Sequence, residues 1–527
     1  MNSAAAFQRD ESLRLGHVVV ETALALQRAA GAEVSYGAVD TEMDESPARQ
    51  KLIYAHWGGE FGVGAGRIVI VAVIELLKIS QQSGEASVAT DYARKLVSVI
   101  RARWLDMSTA ALVREAVKRG IPWRRISPEA RFVQFGQGCH QKTIYETVTH
   151  RTSSNSAWMS RNKAVTNRIL AETGLPVARQ GTVKNQNNIA DAAKAAVNMA
   201  EKIGYPVVVK PLNGQEGRGV GVNLNDAAAV QKAVAEAAKF ENAIAVESYI
   251  AGDDHRLLVV DGKLIAAARR IPGHVVGDGT RSISELVAQA NLDPRRGVGF
   301  ETLMVRLELD AQAERTLATQ GLDAASVPAT DQMVYLRTTA NIATSGTALD
   351  VTDSIHPDNP RAAVRAATTL GLNVAGVDML SPDISRSFRE NGAVVLEVNS
   401  SPGLRPHWLG DETRDVIGPI LDSIYPPGAP SRVPIATVTG TNGKTTTTRM
   451  TARILEQAGH TVGFTSTDGA YINRERIVEG DVAGNRGARV ILQNPEIDMA
   501  VLERARRRII TSGLGFDWCD VGAVLDV

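Results

Sequence analysis

The sequence predicts a multidomain α/β protein. It has a small N-terminal α/β or α+β domain, a larger domain of strand–helix–strand units, and a second, incomplete α/β domain that opens on a phosphate loop. Three observations carry this expectation. A length of 527 residues exceeds what one hydrophobic core organises. Phosphate-handling strings are spread over residues 207–407 (VVVKPLNGQEGRGV, VESYIAGDDHR, GVDML, VLEVNSSPGL). A second, compact phosphate loop stands in PIATVTGTNGKTTTT, Thr439–Thr448.

Element by element, residues 14–30 have the spacing of an amphipathic helix, and Glu33–Tyr36 that of a strand. Helical spacing returns at 87–101 and at 108–119, the latter stopped by Gly120 and Pro122. Residues 1–150 are therefore expected to form one small domain. The pairs His56/Glu60 and Cys139/His140 within it are read as ordinary polar residues. A helix over 161–173 leads to Gly174. Strand and helix patterns follow at 207–210, 226–239 and 244–249, then at 257–269, 334–337, 361–370, 375–379 and 394–398. This second domain is expected over 151–427. Tyr425–Pro434 holds four prolines and reads as a linker, with its core at 428–434. Strand Ile435–Val438, the glycine loop and a helix from Lys444 to Gln457 then open a third domain, 435–527.

Composition excludes several classes of function. Lys+Arg and Asp+Glu both number 58, so no bulk charge draws the chain to nucleic acid or an anionic membrane. The basic run Arg504–Arg508 reads as a solvated helix face. Two distant cysteines fit a reducing compartment, and the longest apolar run, Ile68–Leu77, is too short to span a bilayer. A cytoplasmic location is expected.

The first set of strings has the parts that phosphoryl transfer to a carboxylate needs. Lys210 ends an apolar strand and can meet phosphate. Asn213–Gly219 places three glycines, Gly214, Gly217 and Gly219, in seven residues, whose N–H groups can wrap a polyphosphate. Glu397 and Asn399 alternate with Leu396 and Val398 and so share a strand face, and Asp378 adds a third oxygen ligand; such hard oxygens suit Mg²⁺. In the compact loop, Gly440 and Gly443 make the turn, Lys444 supplies countercharge and Thr445 offers a hydroxyl to Mg²⁺.

These strings resemble the ATP-grasp ligases, and HVVGDG, LRTTANIATSGTALDVTDSIHPDN and EVNSSPGLRPH narrow the resemblance to the cyanophycin synthetase family. GIPWRRI and TVTHRTSSNSAW resemble that family's N-terminal region; TSTDGAYI and GLGFDWCDV resemble its Mur-ligase-like region. The resemblance implies ATP and Mg²⁺ as cofactors. Lys163 and Lys210 would hold ATP phosphates under the Gly214–Gly219 lid, and Glu247 and Tyr249 would form the adenine hinge. Asp378, Glu397 and Asn399 would bind Mg²⁺, and Arg337 would steady the transferred phosphoryl group. Arg256 and Ser345 would contact ATP or polymer. The implied reaction phosphorylates the C-terminal carboxylate of a cyanophycin primer or polymer and adds L-aspartate, with L-arginine and β-aspartyl-arginine as further candidate substrates, in a homo-oligomer.

Four departures temper the expectation. Glu216 stands where the family lid carries His, and the family's acidic stretch appears as AHWGGEFGVGAGR, Ala55–Arg67. Arg506 and Arg507 replace the small residues that follow an acidic position at Glu503. The family also continues well past residue 527, so arginine addition by the Mur-like part is not expected of this chain. The competing expectation is a non-catalytic paralogue that binds polymer or co-assembles with a full-length synthetase.

Overall fold

The computed structural model describes residues 37–40, 51–54, 105–126, 131–185, 188–212, 219–297, 302–342 and 345–526. The predicted elements at 14–30, 33–36 and 87–101, the stretch Ala55–Arg67, and the lid residues Gly214, Glu216 and Gly217 lie outside them. The chain forms two compact units, Met1–Asp106 with Trp123–Gln134, and Met107–Pro122 with Phe135–Val527. In the first, Gly37–Asp40 pairs antiparallel with Lys51–Tyr54.

The second unit opens with helix α1, Met107–Lys118, one residue ahead of its predicted start. It ends where Gly120 turns left-handed (φ 69°) and Ile121 N–H closes on Ala116 O. The helix expected over 161–173 is two, α2 Ser154–Arg161 and α3 Lys163–Glu172. Asn162 divides them, because its side chain accepts from Val165 N–H and caps the second helix.

Strand β1 (Gln180–Lys184), helix α4 (Ile189–Ile203), strands β2 (Val207–Pro211) and β3 (Gly221–Leu224), helix α5 (Ala227–Ala237) and strand β4 (Ala243–Ser248) form an antiparallel sheet of order β1-β4-β2-β3 backed by both helices. A five-stranded antiparallel sheet follows, of order β7-β6-β5-β8-β9. Its members are β5 (Asp253–Val260), β6 (Lys263–Ile271), β7 (Thr347–Asp350), β8 (Val374–Ser381) and β9 (Val394–Asn399). The apolar run 257–269, read as one element, is the β5–β6 hairpin. One face of this sheet is apolar: Leu257, Val259, Ala267, Ala375, Val377, Met379, Val395 and Val398 pack beneath α3 and helix α6 (Asp358–Thr369). The opposite face carries the charged residues, and short helix α7 (Arg405–Gly410) sets Leu409 onto it against Ala268 and Ala348.

The phosphate-loop region contains strand β10 (Ile435–Gly440), helix α8 (Lys444–Gln457) and strands β11 (Val462–Thr465), β12 (Gly469–Ile472) and β13 (Glu475–Glu479). Helix α9 (Asn485–Leu492) and strands β14 (Met499–Glu503) and β15 (Val521–Leu525) complete it. The sheet order is β13-β12-β11-β14-β10-β15, with β11, β14, β10 and β15 parallel. The β12–β13 hairpin extends the sheet to six strands. The proline-rich connection is anchored rather than free. Tyr425 hydroxyl donates to Phe135 O and His140 O, Arg432 Nε donates to Gly120 O, and Val433 is buried.

Candidate active site

The charged face of the five-stranded sheet depends on one irregularity. Asp378 pairs directly with Glu397 in the register, yet Met379 pairs with Val395, so Leu396 is an extra residue. The bulge inverts the alternation of β9. Val395 points into the apolar core, while Glu397 and Asn399 emerge beside Asp378 on the other face. The sequence places Glu397 with Asn399 correctly but gives no sign of the bulge that brings them to Asp378.

The cluster is charge-balanced. Both Asp378 oxygens accept from Arg256, and Oδ2 also accepts from Arg270 Nη2 at 2.9 Å. Arg270 is tied in turn to Asp254, at 2.6 and 2.7 Å. Lys163 Nζ lies 3.2 Å from Glu397 Oε2, and Asn399 Nδ2 donates to Glu397 Oε1 at 3.1 Å. Three carboxylates thus face three cations. Burial, with the Glu397 charge adding to it, holds the Asp378 carboxyl up to about 6 against the pull of the two arginines. Burial also opposes ionisation of Glu397, but the charge of Lys163 and the hydrogen bond from Asn399 override it and hold that group well below the usual carboxylate range. Two carboxylates and an amide on one face are hard oxygen donors that fit Mg²⁺, the lysine and arginines now carrying the countercharge.

The other expected residues fall into two places. Lys210 on β2 pairs with buried Glu247 on β4 at 2.6 Å, so the expected phosphate cation and the expected hinge acid are partners. Tyr249 follows β4, its N–H bonded to Pro206 O. Gly219, left-handed at φ 69°, packs where a side chain would strike Phe240. Arg337 and Ser345 flank the Gly273 turn beyond β6: a Cβ there would stand 3.0 Å from Ser345 Oγ and 3.4 Å from Arg337 Cγ. The Arg337 guanidinium forks onto Asp310 at 3.0 and 3.1 Å rather than onto the Asp378 cluster.

In the compact loop, Gly440 has φ 137°, and any Cβ would lie 1.8 Å from Leu525 O, so only glycine fits. Gly443, at φ 77°, starts α8. Lys444 Nζ donates to Thr441 O at 2.9 Å, and Thr445 Oγ1 donates to Glu503 Oε2 at 2.9 Å. Glu503 is buried, which raises its carboxyl, and its Oε1 has no partner among the described residues. An orphaned carboxylate oxygen beside a phosphate-loop hydroxyl fits a hard cation.

Four residues were missed. Arg270 and Asp254 sit in plain alternation on the β5–β6 hairpin and become visible only once the strands are paired. His407 was within a quoted string but had no role. Arg504, expected on a solvated helix face with its neighbours, is buried (1% exposed) at the end of β14, its guanidinium over the Phe516 ring. The helix starts later, at Arg506. Burial lowers Arg504 to about 10.

Two known families match parts of the chain. Residues 169–276 match the D-ala D-ala ligase C-terminus family, and residues 438–519 match the Mur ligase middle domain. The chain therefore joins an ATP-grasp ligase fold to a Mur-ligase-type nucleotide fold. It is 41% identical to cyanophycin synthetase of Synechocystis sp. over 525 residues, 98% of this chain and 58% of that protein. The chain is thus similar to cyanophycin synthetases along nearly its whole length, and spans a little over half the length of the curated relatives it matches. The glutathione biosynthesis bifunctional protein of Clostridium perfringens is 30% identical over 328 residues, 61% of this chain and 41% of that one. A bifunctional glutathione synthetase from Pasteurella multocida superposes with a TM-score of 0.49 at 25% identity, covering 69% of this chain and 55% of that one.

Proposed function

We propose that this chain is an ATP-dependent carbon–nitrogen ligase of cyanophycin synthesis, acting through the domain at 151–427 with the 1–150 domain in support. The carrying observation is the convergence of Asp378, Glu397, Asn399 and Lys163 at one sheet face in a chain similar to cyanophycin synthetases over nearly its whole length. The reaction begins as a carboxylate oxygen of the primer's C-terminus attacks the γ-phosphorus of ATP, releasing ADP and leaving an acyl phosphate. The amine of L-aspartate then attacks the acyl carbon, phosphate leaves, and the nitrogen loses a proton.

Little of this needs covalent chemistry from the protein; positioning and charge neutralisation dominate. Lys163 and Lys210 draw phosphate oxygens into place, each shifting away from a carboxylate that holds it. Glu247 and Tyr249 border the adenine. Mg²⁺, held by Asp378, Glu397 and Asn399, would supply positive charge to the phosphate oxygens. Arg337 and Ser345, beside the Gly273 turn, lie where β6 delivers Arg270, and there contact the transferred group or the polymer.

For the Mur-like part, a Thr445–Glu503 pair supports nucleotide binding, with Gly440, Gly443 and Lys444 shaping the loop. We place the protein in the cytoplasm as a homo-oligomer; among the described residues no helix is long and apolar enough to cross a membrane.

The test offers a short cyanophycin primer, ATP and Mg²⁺ with aspartate, arginine or β-aspartyl-arginine singly, and follows phosphate release and product mass. Growth with aspartate, lost in Glu397→Gln, is expected. A folded protein that binds primer but never extends it would instead support the polymer-binding paralogue.

A further inference from the structure

His407, in α7, is fully buried, and neither ring nitrogen has a hydrogen-bond partner among the described residues. A neutral imidazole carries one N–H donor and one lone-pair acceptor, and leaving both unmade in the interior is costly. Burial and the charges of Arg256, then Arg270 and Arg414, hold the ring neutral, with its pKa down to about 3. One nitrogen therefore keeps its lone pair at any ordinary pH.

The three arginines differ in how firmly they are held. Arg414 is bonded to Asp350 and Asp353, and Arg270 has Asp254 as well as Asp378. The Arg256 guanidinium donates to Asp378 and to no other acceptor among the described residues. The cross-strand neighbour of Arg256 on β6, Ala268, packs against Leu409 of α7, the short helix that carries His407. On Asp378, Oδ2 already accepts two hydrogen bonds and Oδ1 one, which leaves a single lone pair at Oδ1 with two guanidiniums beside it. Mg²⁺ needs short, near-octahedral oxygen bonds, so a guanidinium has to withdraw before Asp378 becomes a full ligand. A buried guanidinium that withdraws without a new acceptor is strongly disfavoured.

We propose that His407 is a positioning residue: the alternate acceptor that receives the Arg256 guanidinium when Asp378 turns to the divalent cation of the nucleotide. The exchange gives a hydrogen bond to an imidazole that lacks one and frees a carboxylate that has too many. It rests on the reading of Asp378 as a metal ligand, and the experiment separates the two.

The experiment titrates Mn²⁺ by electron paramagnetic resonance into the full chain with adenylyl imidodiphosphate, in a Lys444→Ala background that silences the phosphate loop. His407→Phe is expected to weaken Mn²⁺–nucleotide binding about tenfold. His407→Gln, which keeps an acceptor, is expected to stay near the unmodified affinity. Wild-type affinity in His407→Phe, or equal losses in both variants, overturns the proposal. Asp378→Asn is expected to abolish binding; retained binding there sinks the metal-ligand reading instead. Should His407→Phe fail to fold, imidazole ¹⁵N spectra of the unsubstituted protein decide. The lone-pair nitrogen of His407 is expected to shift on adding Mg²⁺ and the analogue, and an unmoved resonance overturns the proposal.

Discussion

Asp378, Glu397 and Asn399 were legible as single residues because an ionisable or amide group in an apolar strand demands a partner. Their partners were not legible. Lys163, Arg256 and Arg270 come from three other elements, and only tertiary pairing brings them together. His407 was hidden for the same reason, since the charges around it come from two distant strands and from Arg414 in a later loop. That environment has a consequence for pH. Its folded pKa, about 3, lies below the ordinary 6.5, so the unfolded chain binds the proton more readily between those values. The neutral ring's contribution is complete above pH 6.5 and is lost as pH falls toward 3. By pH 5 the loss is about 2 kcal/mol, one and a half pH steps of linkage. Denaturant melts at pH 7 and pH 5 are expected to show this destabilisation, and His407→Phe is expected to reduce it; an unchanged slope in the variant rules out His407 as its source.

At the level of elements, the phosphate loop was read almost residue for residue. Strand β10 runs two residues past its predicted end, and helix α8 spans Lys444–Gln457 as expected. Such motifs are legible because local geometry dictates them: glycines at left-handed positions, then a helix start. The bulge at Leu396 is the contrary case, for its cause lies in the strand it pairs with. Likewise, Arg504 was misplaced because a basic run looks helical until the strand before it is seen to end there. Gly440→Ala tests the element directly. A Cβ at this position overlaps Leu525 O, and the residue would have to hold φ 137°. The variant is expected to lose about 2 kcal/mol or more of stability in this sheet. Hydrogen exchange of β10 and β15 amides is the measurement, and unchanged protection would show that the turn relaxes freely.

Within the larger unit, changes of pattern gave the predicted domain series, but they ran the β5–β6 hairpin together as one element and did not show the β12–β13 hairpin. What the patterns hid was the role of the proline-rich connection. Proline content signals a spacer, but buried Tyr425 and Val433 and the bond from Arg432 to Gly120 fix this stretch along its length. Tyr425→Phe removes the one donor shared by the buried Phe135 carbonyl and the half-buried His140 carbonyl, an expected cost of about 1–3 kcal/mol. Limited trypsin digestion is expected to cut after Arg432 slowly in the unmodified chain and faster in the variant. Equal rates would mean that the anchoring does not depend on the hydroxyl.

The approach of Gly440 to Leu525 also sets an order in time. Strand β10 is flanked by β14 and β15, both made long after it, and the Thr441 N–H closes on the carbonyls of Leu525 and Asp526. During synthesis the GTNGKT turn therefore emerges as an open segment and takes its phosphate-cradling form only when β15 arrives. Contacts so distant along the chain fold slowly. The turn has no finished form until that late strand docks, whereas the antiparallel hairpin β5–β6 that presents Arg256 and Arg270 closes locally and early.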